Sequence, residues 1–191
     1  MIKSLALLFW IVLLPLTGLS QTEDEYLNLR EAELIHPDSV FFLSLSREGL
    51  KEIPEEIFVF KNLKGIDLSN NKLATLPPNF IFPHLEHLNL TNNKFHEFPW
   101  VICKNTSLKT LELGKNYLTE IPECISELIF LEKLDVWFNI ITVLPESLSE
   151  LRHLKTIDIR GMNYSEEFQE KWNTLLPRVK IEFDNGCDCG L

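Results

Sequence analysis

LKTLELGKNYLTEIPECISELIF, residues 108–130, is one copy of the pattern that decides how this chain folds. The pattern, L-x-x-L-x-L-x-x-N-x-L-x-x-(I/L)-P-x-x-I, occurs in five full copies that begin at Val40, Leu63, Leu85, Leu108 and Leu131. Each copy starts 22 or 23 residues after the one before, and a sixth, partial copy begins at Leu154. A fixed repeat of this length indicates a solenoid, in which similar units stack and share one continuous core.

The first half of each copy predicts a short β-strand. L-x-x-L-x-L alternates apolar and variable residues at period two, which is the pattern of a strand with one buried face. A long crossover joins each strand to the next, so successive strands must be parallel and about 4.8 Å apart. The chain is therefore expected to form a curved parallel sheet with the variable positions on its exposed face.

These copies resemble leucine-rich repeats of the 23-residue L-P-x-x-I type, and the resemblance covers residues 40–161. It implies an α/β fold: a short solenoid arc with a parallel concave β-sheet, an irregular or 3₁₀ convex side, and helical caps at both ends. The flanking layout is also similar to that of short secreted bacterial leucine-rich-repeat proteins. Recognition of another protein, without catalysis, is the function that this resemblance implies.

Two recurrent features are expected to shape each coil. An asparagine follows the strand, where its amide can donate to and accept from backbone groups that the turn leaves unpaired. This asparagine ladder, which we interpret as structural, consists of Asn71, Asn93, Asn116 and Asn139, whereas the first copy has Glu48 there. A proline then stops the strand, because proline fixes φ and donates no hydrogen bond.

The first 20 residues are predicted to form a secretory signal peptide. Lys3 precedes an apolar run from Leu5 to Leu16 that is too short to span a bilayer, and the small residues Gly18 and Ser20 follow it. An uncleaved anchor is the alternative. Secretion would place the protein in the periplasm, outside the cell or on its surface, with no membrane span after the signal is removed.

Three further regions are predicted. Residues 21–39 are expected to form an N-terminal capping helix, residues 40–161 the five full repeats and one partial repeat, and residues 162–191 a C-terminal cap. In the last region Asn163 and Glu166 have the spacing of a capping box at a helix N-terminus. A strand over residues 179–183 is expected to complete this cap.

The charge of the chain argues against nucleic acid as a partner. It has 28 acidic and 18 basic residues, a formal charge of −10, and loss of residues 1–20 would remove Lys3 and no acid, giving −11. The histidines are scattered, and the sequence has no glycine-rich phosphate loop and no H-E-x-x-H motif. We therefore predict no enzymatic activity, no cofactor and no metal.

Four cysteines become disulfide candidates if the chain is exported. Cys103 and Cys124 fall on the convex side of consecutive copies, where a bridge between neighbouring coils is possible. Cys187 and Cys189 leave three options open: a strained mutual disulfide, a pair awaiting outside partners, or free thiols. A cysteine-dependent enzyme using this last pair is a remote alternative.

The exposed strand positions allow the concave face to be read column by column. The middle column is predicted to contain Ser44, Asp67, Asn89, Glu112, Asp135 and Asp158. Its three adjacent carboxylates repel one another, and Lys133 and Arg160 in the flanking columns are the local counter-charges. One interpretation is a solvated charge ladder. The other is an acidic surface that receives a basic segment of a partner.

Trp137 and Phe138 lie outside the buried leucine positions, and exposed aromatic residues are common anchors of interfaces. In the alternative interpretation, Phe138 lies under the C-terminal cap and Trp137 covers its edge. The predicted partner-binding residues are Glu112, Asp135, Trp137, Phe138, Asp158 and Arg160.

The sequence thus predicts a secreted, monomeric recognition module that binds a protein or peptide through its concave face. A structural or adhesive surface protein that binds cell-wall glycan is the alternative, because aromatic side chains can also stack on sugars. A small dimer patch on the convex side is a further possibility, formed by Phe58, Val59, Ile81 and Trp100.

Overall fold

The computed structural model describes residues 25–184. Within this range, seven short strands form one parallel sheet in the order of the sequence: β1 (Phe42–Ser44), β2 (Gly65–Asp67), β3 (His87–Asn89), β4 (Thr110–Glu112), β5 (Lys133–Asp135), β6 (Thr156–Asp158) and β7 (Lys180–Glu182). Two α-helices flank the repeats, α1 (Leu29–Ala32) and α2 (Glu166–Leu175). The predicted solenoid with a parallel sheet is confirmed.

The returns on the convex side are 3₁₀ helices that begin after a proline. Their bounds are Glu55–Val59, Trp100–Lys104, Glu123–Glu127 and Glu146–Glu150, and a further 3₁₀ helix covers Pro37–Ser39 before the first strand. The preceding prolines have extended φ and ψ, so each one ends the incoming segment before the 3₁₀ turn starts.

The leucines of the repeat form one continuous core. Ile66, Leu88, Leu111 and Leu134 are the buried central residues of successive strands and pair directly with one another along the sheet. Each such side chain contributes roughly 1.5 to 3 kcal/mol of burial before entropy is subtracted. Because every coil contributes the same positions, the burial of one coil requires its neighbours.

The asparagine ladder joins each coil to the one before it. The side-chain amide of Asn93 donates to the carbonyl of Leu68 in the preceding coil and to that of Leu90 in its own, each at 3.0 Å. Its Oδ1 accepts from the amide of Leu73, also at 3.0 Å. Asn71, Asn116 and Asn139 repeat this arrangement. Glu48 has no preceding repeat to join, which explains why the first copy can dispense with the amide.

A further buried asparagine, Asn105, supports the second copy, which is one residue shorter than the others. Residues 77–83 form no 3₁₀ helix, whereas the other full copies have one at this position. Instead, Asn105 from the next coil donates to the carbonyl of Phe80 at 3.1 Å and accepts from the amide of Phe82 at 2.8 Å. This amide therefore satisfies backbone groups that the shortened return leaves unpaired.

At the N-terminal end, an extended residue and a short helix cover the first coil. Leu27 bridges to Leu43 in β1 with parallel geometry, and Asn28 forms a capping box with Glu31. Within the described residues the helix of the predicted 21–39 cap spans only Leu29–Ala32. The chain just before this helix is extended, because Leu27 pairs with β1.

At the C-terminal end, α2 and β7 cover the last repeat. Trp172 of α2 is buried, and Ile181 of β7 pairs with Ile157 of β6. The expected capping box of Asn163 and Glu166 is wrong, because Ser165 is the N-cap and accepts from the amide of Phe168. Asn163 has a φ of 50°, a left-handed conformation that differs from the extended backbone of an N-cap.

On the convex side Cys103 and Cys124 form a disulfide between consecutive coils, with their Cα atoms 5.9 Å apart. It joins two adjacent 3₁₀ helices, Trp100–Lys104 and Glu123–Glu127. Cys187 and Cys189 lie outside the described residues.

We predict that Asn93→Ala destabilises the fold. The substitution removes three hydrogen bonds in a site that is 1% exposed, for a loss of roughly 3 kcal/mol in the free energy of unfolding at about 1 kcal/mol each. Urea denaturation measures this loss, and Glu48→Ala, at the exposed equivalent position, is the control. Equal stability losses in the two variants would contradict the structural role of the ladder.

Candidate functional site

The concave face contains three columns of side chains, because all strands pair without a register shift. The middle column runs Ser44, Asp67, Asn89, Glu112, Asp135 and Asp158 through direct partners in the sheet. Thr110, Lys133 and Thr156 belong to the column on one side. On the other side, two residues after the ends of β4, β5 and β6, lie Gly114, Trp137 and Arg160.

Most side chains of the middle column accept a hydrogen bond from the backbone just beyond the end of their own strand. Asp67 and Asn89 accept from the backbone amide two residues later, each at 2.9 Å. Asp135 and Asp158 do the same toward Trp137 and Arg160, at 3.4 and 3.2 Å. The Asp and Asn side chains of this column therefore stabilise the backbone locally. Their presence alone does not indicate binding, so the evidence for a binding site is the pattern of charges around them.

Two cations compensate part of the acidic column. Lys133 Nζ lies 2.6 Å from a carboxylate oxygen of Glu112 and 4.0 Å from one of Asp135. Arg160 binds Asp158 through two hydrogen bonds, at 2.9 and 2.5 Å, which raise the pKa of the guanidinium. Burial lowers the pKa of Lys133, but its hydrogen bond and attraction to Glu112, with further attraction to the aspartates, outweigh burial and raise it overall.

Asp135 is the least compensated carboxylate of this group. Its side chain is largely buried and stands between Glu112 and Asp158 in the strand register. Burial, followed by repulsion from Asp158, raises the pKa of Asp135 to about 6, although the Trp137 amide and Lys133 act in the opposite direction. The site therefore retains an unfavourable negative charge above this pH.

The indole of Trp137 packs against Gly114 of the neighbouring coil. A methyl group at Gly114 would overlap with the indole, so glycine is required for this contact. Lys115 Nζ stands 4.7 Å from the centre of the indole ring, and Phe138 makes an edge contact at 5.2 Å. These contacts fix a partly exposed indole directly beside Asp135.

Phe138 lies beyond the end of β5, on the turn, rather than under the C-terminal cap. It is 57% exposed, and its ring packs against the backbone of Gly161. Its φ is 50°, in the left-handed region that bulky side chains rarely adopt. In the preceding coils the same turn position is filled by Asn70, Asn92 and Lys115.

Two further parts of the concave face were not predicted. Glu182 of β7 pairs with Asp158, extends the acidic column by one strand and lies 3.5 Å from Arg160. At the other end the ring of Tyr26 packs against Phe42 over Gly65. The pKa of the Tyr26 hydroxyl is raised by burial and by the negative charges of the column. Both residues lie outside the repeats, so the repeat pattern could not place them.

Two further observations concern metal sites and membrane spans. Across residues 25–184, no group of three or more histidine, cysteine, aspartate or glutamate side chains has the arrangement of a metal site. No helix in the same range is both long and apolar enough to cross a bilayer. The predicted signal peptide, residues 1–20, lies outside this range.

Comparison with known proteins agrees with this geometry. A leucine-rich repeat model of two copies matches residues 61–103, and a second leucine-rich repeat model matches residues 83–139. Among solved structures, a leucine-rich repeat protein of Leptospira interrogans is 29% identical, with a TM-score of 0.66. The match covers 84% of this chain and 40% of that one, so the present chain spans less than half of that protein. Residues 61–139 therefore match leucine-rich repeats, and the part of the chain described by the structure has the fold of a leucine-rich repeat solenoid.

Proposed function

We propose that this protein is a secreted, non-enzymatic recognition module that binds a protein or peptide through its concave face. The family suggests protein interaction in general terms. The observation that supports the concave face in particular is the pair formed by Trp137 and Asp135. An oriented indole stands beside an incompletely compensated carboxylate, and both belong to one continuous sheet surface.

A lysine or arginine side chain of the partner suits this pair. Its cation would offset the charge that Asp135 shares with Glu112 and Asp158, and its alkyl stem would pack on the indole. The ammonium group of Lys115 already lies 4.7 Å from the centre of the indole ring, which supports the suitability of the ring for a cation. Arg160 and Lys133 would set the position of the carboxylates rather than bind the partner directly.

Export is part of the proposal. It is supported by the composition of residues 1–20 and by the disulfide between Cys103 and Cys124, because disulfides persist mainly in oxidising compartments.

We predict that the exported chain begins at Gln21 and contains linked Cys103 and Cys124. Mass spectrometry of the protein recovered from the periplasm or medium of an expressing bacterium, without reduction, measures both features. A chain that remains in the cytoplasm and retains residues 1–20 would contradict the proposed export.

A second prediction concerns the binding face. Trp137→Ala combined with Asp135→Ala is expected to abolish retention of the partner in affinity capture, because the anchor and its neighbouring charge are both removed. Trp100→Ala with Glu150→Gln, two separate exposed residues on the convex side, is the control and should retain the partner as the parent does.

Equal capture by the parent and the concave-face variant would contradict the proposal. Binding of purified cell-wall polysaccharide, lost in the same variant, would instead favour the glycan-binding alternative. Circular dichroism should show that both variants remain folded.

The pKa of Asp135 generates a third prediction. An unfolded aspartate has a pKa near 3.9, whereas that of Asp135 is about 6, so folding stability falls as the pH rises through this window. Asp135→Asn keeps an acceptor for the Trp137 amide and removes the charge. It is therefore expected to raise Tm at pH 7.5 and to change it little at pH 4.

Asp67→Asn is the control, because Asp67 makes the same type of backbone hydrogen bond but stands between Ser44 and Asn89. Asp67→Asn shows how much an Asp-to-Asn change alone alters Tm where no carboxylate stands on a neighbouring strand. The same rise in Tm at both pH values for Asp135→Asn would contradict the penalty that burial and repulsion impose on the charged carboxylate.

A further inference from the structure

A second surface runs along the turns that follow the strands, beside the concave face. We call it the turn ridge, and its exposed side chains form two columns: Arg47, Asn70, Asn92, Lys115 and Phe138 in the first, and Lys72, Lys94, Tyr117 and Ile140 in the second. Backbone hydrogen bonds between coils hold both columns in register. In the first column the amide of Lys115 donates to the carbonyl of Trp137 at 2.7 Å, and in the second the amide of Lys94 donates to Leu73 at 2.8 Å.

One half of the turn ridge is basic, in a chain whose net charge is −10. The two columns contain four cations, and the position between them holds a buried ladder asparagine in the second to fifth coils and the exposed Glu48 beside Arg47 in the first. In residues 25–184 no ion pair involves any of these cations, Arg47, Lys72, Lys94 and Lys115. Like charges on neighbouring coils repel one another, so an acidic ligand would relieve an unfavourable field on this half.

At the opposite edge of the sheet, the charged side chains form ion pairs with one another. At the turns that precede the strands, charge alternates from coil to coil in the column Lys64, Glu86, Lys109, Glu132 and Lys155. Adjacent members form ion pairs there, Lys109 with Glu86 and Lys155 with Glu132, each at 2.5 Å. That column is internally compensated, whereas the basic half of the turn ridge is not.

The other half of the turn ridge is apolar and exposed. Tyr117, Phe138 and Ile140 have 40%, 57% and 56% of their surface exposed. The two halves are joined by Lys94, whose Nζ donates to the Tyr117 hydroxyl at 3.2 Å. Tyr117 is further fixed by stacking on His96 at 5.0 Å. The basic and apolar halves thus form one continuous strip about two side chains wide.

We propose that the turn ridge binds an acidic polypeptide segment that carries aromatic or aliphatic side chains at one end. Carboxylates of the segment would bind the basic half, and its apolar side chains would pack on the apolar half. The sign of the charge is opposite to that of the concave face, so this surface and the concave face would select different partner segments.

The geometry favours a polypeptide over an anionic membrane. The strip is narrow, and the acidic column of the concave face runs parallel to it only a few residues away along each coil. A planar anionic surface large enough to cover the strip would also approach those carboxylates, whereas an extended segment can follow the strip alone.

Panning of a displayed random dodecapeptide library on the full chain tests this proposal. Peptides enriched on the parent are expected to combine Asp or Glu with aromatic or aliphatic residues. K72E/K94E/K115E should lower their retention at least about ten-fold, because the charges facing the peptide are reversed. K61E/R152E/R178E makes the same change in net charge at exposed cations away from the turn ridge and should retain them.

Phe138→Asn tests the apolar half without altering the turn, because asparagine occupies the same left-handed position at Asn70 and Asn92. It should reduce retention of peptides with apolar residues. Asp135→Asn should leave retention unchanged, which separates this surface from the concave-face proposal.

Enrichment of peptides without acidic residues, or undiminished retention by K72E/K94E/K115E, would overturn the proposal. Selection of no peptide together with binding to phosphatidylserine vesicles would also overturn it, in favour of a membrane surface. Matching circular dichroism spectra and Tm values would exclude unfolding of the variants as the cause of any loss.

Discussion

The register between neighbouring coils is the constraint on which the rest of this structure depends. A strand of three residues has too few hydrogen bonds and too little burial to be stable alone, so each strand exists because its neighbours present the same positions at the same height. The asparagine ladder enforces that height, since each amide bridges the turn of one coil to the backbone of the preceding one. Every column of side chains on the surface is a consequence of this bridging.

Because side chains stand in columns, a small protein can have several surfaces that differ in charge, and none of them requires a pocket. The same backbone carries three surfaces of different charge: an alternating column before the strands, an acidic column on the sheet, and the turn ridge, which is basic in one half and apolar in the other. Charges within a column are only about 5 Å apart, so a run of one sign has an energetic cost that folding alone does not remove. Burial and this crowding together raise the pKa of Asp135. Such uncompensated runs are where binding of a charged partner would gain most.

Much of this organisation could be predicted from the sequence, because the repeat fixes both the strand and the identity of its exposed positions. The middle column from Ser44 to Asp158 follows directly from the 22- and 23-residue spacing. What lies outside the repeat could not be read in this way. Glu182 and Tyr26 reach the concave face from the caps, where no period sets their register. Asn105 bonds backbone groups in the second copy, which is one residue shorter and has no 3₁₀ helix in its return. The left-handed backbone of Asn163, which the sequence does not reveal, excludes it as an N-cap.

The central claim is that side chains from consecutive coils form one binding surface on the concave sheet. Site-specific photo-crosslinking tests it most directly, with a benzophenone amino acid placed either at Thr156, in a flanking column of the concave face, or at Trp100 on the convex side. The account predicts that a bound partner is linked covalently from position 156 and not from position 100. Linkage from position 100 alone would contradict it.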